Sequence, residues 1–355
     1  MYLFYALILL IPMLALRKRA AGDPPILDQR STTCIKGVLC FYVMLHNLGL
    51  ELIGNTPLKE TVCERSGGVG VGLFFFLSAF GIIRSYQAKG NKSLRRLLLV
   101  HTPRLYIISV LINLLTYLSF FKDSLEPRDA WMQVFNLDMF NDFHRMNLHG
   151  WYITTILGMY LIFAAVFYVA SKFKSDKKFI IAAIILGVIA LCFRIGVKIF
   201  EQGSLYTREM PAFTLGCLYA AFYDKVNAFS KKFFIPGMIV ALGFFIWGFF
   251  FISEPMATYA ACALLVLVSQ KVTYYNKITY FFGKICIGIY LFLHLSTLVL
   301  QSFVCNEYLW VLINAAFIIE LSVLLYAVEF AISYVIKKIK NRLQGRRIAV
   351  SENNV

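Results

Sequence analysis

Two histidines stand in stretches that are otherwise apolar. His46 lies in the run 35–50 and His294 in the run 285–300. An imidazole trades a proton near neutral pH, so a histidine at membrane depth marks a general base or a proton relay. The plainer alternative is an interhelical hydrogen bond. Lys36 precedes His46 by ten residues, about 15 Å along a helix, and Asn47 follows it. Ser78 sits in the string Gly72-Leu73-Phe74-Phe75-Phe76-Leu77-Ser78-Ala79-Phe80-Gly81, where close packing alone explains the small residues. Arg84, Lys89, Lys92, Arg95, Arg96 and Arg104 crowd the segment 84–104, which ends in Pro103-Arg104-Leu105-Tyr106. Such a cluster suits a polyanion such as coenzyme phosphates, or equally the anionic headgroups of a lipid surface. His149-Gly150-Trp151-Tyr152, with Tyr160 beyond, combines belt aromatics with an unusual histidine that could contact a sugar. Tyr290 precedes His294 by one helical turn, and Arg194, Glu320 and Glu329 are further charges within apolar runs.

The elements that carry these residues must be membrane helices. The chain has 355 residues, 59% of them hydrophobic and only 15% charged. A soluble domain is about 45–50% apolar and about 25% charged, so a soluble enzyme, a disordered chain and a fibrous protein are excluded. A crossing helix needs about 20 residues. Ten segments meet or approach that length: 36–54, 67–87, 104–121, 151–171, 179–197, 211–223, 234–252, 256–270, 278–301 and 308–336. One more apolar run, 2–16, lacks the basic start and cleavage site of a signal peptide and reads as an extra helix. The expected fold is all-α and polytopic. Residues 1–16 form the extra helix, 17–35 a cytoplasmic linker, 36–336 the membrane domain and 337–355 a basic tail. Within the long segment 122–150, Trp131, Phe135, Met139 and Phe143 suggest an amphipathic helix lying on the membrane or capping a cavity.

The net charge of +16 becomes an orientation signal once it is sorted by loop. With 17–36 placed inside, twenty-six Lys and Arg fall in inside segments and seven in outside ones. That asymmetry places the C-terminus in the cytoplasm, with no need for a nucleic-acid partner. With 2–16 as an uncleaved helix the N-terminus is expected outside, and the expected location is the cell membrane. The eight cysteines form no CxxC pair, so no metal site is expected. Most read as small hydrophobes, and only Cys63 and Cys305 fall in outside segments where a disulfide remains open.

In this order, the segments resemble the integral-membrane acyltransferase-3 family. Lys36-Gly37 with His46 resembles the opening of its first core span. Phe75-Phe76 with Ser78-Ala79-Phe80 resembles its Phe-Phe-x-x-Ser-Gly-Phe string, with Ala79 in the place of glycine. Arg104 and Tyr106, then His149, Trp151, Tyr152 and Tyr160, then Pro211-Ala212-Phe213 with Gly216, then Tyr290 with His294, match its later motifs. The likeness covers residues 30–336 and is to the form without a hydrolase-like C-terminal domain. Thr154 and Thr155 stand where some members carry acidic residues, which puts an acidic catalytic role there in doubt.

The resemblance implies transfer of an acyl group, usually acetyl, from cytoplasmic acyl-CoA to a hydroxyl of a cell-surface or lipid-linked glycan. It implies His46 as general base, and Asn47 or Ser78 as the group that polarises the thioester carbonyl. An acetyl-histidine intermediate is the alternative route. Lys36, Arg84, Arg95, Arg96, Arg104 and Tyr106 would hold the coenzyme. His149, Trp151, Tyr152, Tyr290 and His294 would meet the acceptor. The resemblance thus implies acyl-CoA as co-substrate, no metal, and the bilayer and the glycan as partners. The competing reading is a proton-coupled transporter or flippase of a lipid or sugar. A membrane sensor would leave the deep histidines without a role.

Overall fold

The computed structural model describes residues 16–52, 64–137, 150–172, 177–200, 207–252, 254–303 and 307–352. Among them are twelve helices and one two-stranded ladder. Strand β1 (Leu16–Lys18) pairs antiparallel with β2 (Val272–Tyr274). The helices are α1 (Gln29–Leu52), α2 (Glu64–Lys89), α3 (Asn91–Phe121), α4 (Pro127–Val134), α5 (Gly150–Ser171) and α6 (Lys178–Phe200). Next come α7 (Met210–Ala221), α8 (Tyr223–Lys232), α9 (Phe234–Ile252), α10 (Glu254–Val268), α11 (Lys277–Leu300) and α12 (Glu307–Glu352).

Each of the ten expected spans carries a helix among its described residues. Seven of these helices are long and apolar enough to cross a bilayer, α7 and α10 are shorter apolar helices, and α1 is a helix of 24 residues. The protein is an all-α polytopic membrane protein. Of the run 2–16, all but Leu16 lies outside the described residues, as do Cys63, Cys305, Met139 and Phe143.

One expectation needs correcting. Segment 84–104 is not a loop. α2 continues to Lys89, the chain reverses at Gly90 in the left-handed region (φ 59°), and α3 starts at Asn91. Lys, Leu and Arg are good helix formers, so a basic stretch stays helical. Pro103, which has no N–H, follows a π turn at Leu97–His101. In the described part of 122–150, the expected amphipathic helix is present as α4, and 122–137 folds back along α3. The Asn113 amide donates to Gln133 O (3.2 Å) and Asn136 Oδ1 (3.1 Å), and the Tyr106 hydroxyl donates to Phe135 O (3.2 Å). Polar side chains inside an apolar helix thereby satisfy the end of α4. Trp131 and Phe135 stack at 5.6 Å on its exposed side.

α2 is the central helix, with 78% of its most apolar stretch buried against 17% for α9. It is apolar all round, as an enclosed helix must be, and packs on α1, α7 and α10. α1 is clasped by α11, and α11 in turn packs on α12. The α1–α11 crossing is close because Gly37 and Gly283 face the opposing backbone. A Cβ on Gly37 would strike Thr279 O, and one on Gly283 would strike Thr33 O. Both helices begin with side-chain caps. Asp28 accepts from Arg30 N and Ser31 N, and Asn276 accepts from Ile278 N and Thr279 N.

Candidate active site

A cavity of about 100 Å³ lies between α1, α2, α5 and α11. Lys36, Cys40 and Val43 recur along one face of α1 and form one wall. Cys286, Tyr290 and Leu293 form the facing wall from α11. Ser78 closes the side from α2, and Tyr152 and Tyr160 do so from α5. The Tyr152 ring lies 4.7 Å from that of Tyr290 and 5.3 Å from that of Phe75, which fixes its position. Tyr160 and Ser78 both face the cavity. Among the described residues no carboxylate pairs with Lys36, so an amine borders a chamber whose other polar groups are hydroxyls and thiols.

His46 is one turn along α1 from Val43, at the end of the cavity away from Lys36. Its ring lies against Gly67 of α2 so closely that a Cβ there would overlap it. Its Nδ1 is buried and has no hydrogen-bond partner among the described residues. Asn47 is turned back on its own helix, its amide donating to Val43 O at 2.7 Å. His294 is one turn beyond Tyr290 on α11, half-buried. His149 lies outside the described residues.

The cavity therefore brings together Lys36, Ser78, Tyr152 and Tyr290 of the expected residues. The other basic candidates stand apart from it. Arg104 is held by two hydrogen bonds to Glu329 of α12, its Nε at 2.6 Å from Oε1. Arg84 lies 4.4 Å over the Tyr223 ring and donates to Gln87. Arg95 and Arg96 are exposed on the first turns of α3, and the Tyr106 hydroxyl is bonded to Phe135 O.

Sequence reasoning missed one pair. Glu209 is fully buried, and Arg208 donates to it at 3.0 Å. Arg208 also lies 5.7 Å over the buried Trp151 ring and within electrostatic reach of His46 and Tyr290. Trp151 is thus packed under a guanidinium. The signal was an acidic residue beside an arginine just ahead of the matched Pro211-Ala212-Phe213 string.

A family model described as an acyltransferase domain, that of acyltransferase-3, matches residues 30–336. The chain belongs to the acyltransferase-3 family. This membrane acyltransferase carries the family match across α1 to α12, so both walls of the cavity fall within it. No curated protein and no solved structure matches the chain.

Proposed function

We propose that this acyltransferase moves a short acyl group, acetyl above all, from acyl-CoA on the lysine-rich side to a hydroxyl of a cell-surface or lipid-linked glycan on the other. The cavity carries the reading: Lys36 stands at one end, His46 one turn past the other, and the space between suits an acetyl group rather than a long chain. The nucleotide stays outside it, on the exposed face that bears Arg95 and Arg96. The inner side is the cytoplasm, from the charge asymmetry.

In this scheme the thioester enters past Lys36. His46 takes the proton from the acceptor hydroxyl as its oxygen attacks the thioester carbonyl. The tetrahedral intermediate collapses, an ester forms, and the proton passes from His46 to the departing CoA thiolate. Ser78 faces the chamber and supplies a hydroxyl for the carbonyl oxygen. Asn47 contributes by holding its helix, since its amide is already engaged.

The test is transfer from acetyl-CoA to surface glycan by the purified chain. His46→Ala is expected to lower kcat by about 10²–10⁴ with an unchanged thermal unfolding temperature in detergent. Near-unaltered transfer by that variant would remove His46 from the reaction. Movement of a glycan or lipid in the absence of CoA would favour the carrier instead.

A further inference from the structure

We propose that the groove between α7, α8, α9 and α10 binds one anionic phospholipid. Its headgroup lies among the lysines at the end of α8 and one acyl chain lies along α9. The site is independent of the acyl-transfer reading.

The groove measures about 540 Å³, several times the catalytic cavity, and is open on one side. Leu218, Phe229, Phe233, Val240, Phe244 and Leu267 form most of its wall. It arises because α9 makes its main contact with α10 and stands off from α7. α9 has a mean hydropathy of 2.2 and exposes Ile235, Ile239 and Val240. Its opening therefore faces hydrocarbon and not water. The volume accommodates a single long acyl chain and is far too small for another helix.

Charge selects the kind of lipid. α8 is amphipathic, with Phe229 exposed on it and Phe233 exposed just past its end, and Lys225, Lys231 and Lys232 beside them. That is the pattern of a helix lying in the headgroup layer. The Lys232 ammonium is 5.3 Å from the Phe233 ring, which lines the groove. The Lys271 ammonium is 5.2 Å from the ring of the next residue, Phe234. Two cations thus flank one end of the groove, and the acidic residue of α8, Asp224, is in its first turn, away from them. The buried Ser230 adds a hydroxyl to the wall there. A phosphate without a compensating cation fits this end, and a choline headgroup does not.

The full chain in detergent is mixed with equimolar phosphatidylglycerol and phosphatidylcholine of identical acyl chains. Bound lipid is then weighed by native mass spectrometry. One phosphatidylglycerol per chain is expected to dominate. Replacing Lys231, Lys232 and Lys271 by Gln lowers that preference by about fivefold per lysine. Val240→Trp, which fills the groove from an exposed position, removes both lipids. Equal retention of the two lipids by the unaltered chain overturns the headgroup assignment. Undiminished phosphatidylglycerol on Val240→Trp overturns the groove.

Discussion

His46 owes its place to the missing side chain opposite it. The space its ring occupies is the space a Cβ on Gly67 would take. Gly67→Ala is therefore expected to cut transfer by about tenfold or more without removing any reacting group. Gly81→Ala, where a Cβ meets nothing, serves as the control and keeps full activity in the same assay. Arg104 makes the opposite point, because Glu329 already occupies it. Glu329→Gln frees the guanidinium, and the KM for acyl-CoA is expected to fall by about two- to fivefold, the scale of an exposed ion pair. A higher KM would exclude Arg104 from the coenzyme. Lys36 and His46 were legible because they share one helix at fixed spacing. The roles of Asn47 and Arg208 were not, because which neighbour a side chain turns to is set by rotamers and by helices distant in sequence.

Helix packing decides whether the chamber exists. α1 and α11 approach through Gly37 and Gly283, each against the other's backbone. Gly283→Val forces them apart, with an expected destabilisation of about 1–3 kcal/mol. A lower unfolding temperature in detergent, together with lost transfer, is the readout, and an unchanged temperature would show that the crossing is slack. The ten spans were legible because bilayer thickness imposes length and apolarity on each. The helical character of 84–104 was hidden by its charge, which hydropathy reads as a break even though Lys, Arg and Leu on either side of Gly90 favour a helix. The fold-back of α4 was hidden for a different reason. Ser109 and Asn113 signal a partner for α3, but nothing in their spacing names Asn136 as that partner.

At the scale of the molecule, segments assigned to one side by charge meet one another. Arg19 bonds Ser269 O, the Tyr223 hydroxyl bonds Ile26 O, and Lys178 lies over the Tyr86 ring. Arg208 over Trp151, and Thr154 near Asn136, gather at the opposite end. This pairing of ends agrees with the alternation read from the loops and leaves only its sign to be tested. Green fluorescent protein joined to the C-terminus is expected to fluoresce in cells. Alkaline phosphatase joined after Leu137 is expected to be active. The reverse pair of results would invert the orientation and move the coenzyme side with it.

The ladder of Leu16–Lys18 with Val272–Tyr274 joins residues more than 250 positions apart, and the α1–α11 clasp spans a similar interval. A ribosome emits the first partner of each long before the second. α1 must then wait in the bilayer, its Gly37 face without the partner helix, until the ninth of the ten spans has entered. The cavity is thus among the last parts of the protein to come into being, since a chain interrupted before α11 has the wall from α1 and the sides from α2 and α5 but nothing facing them.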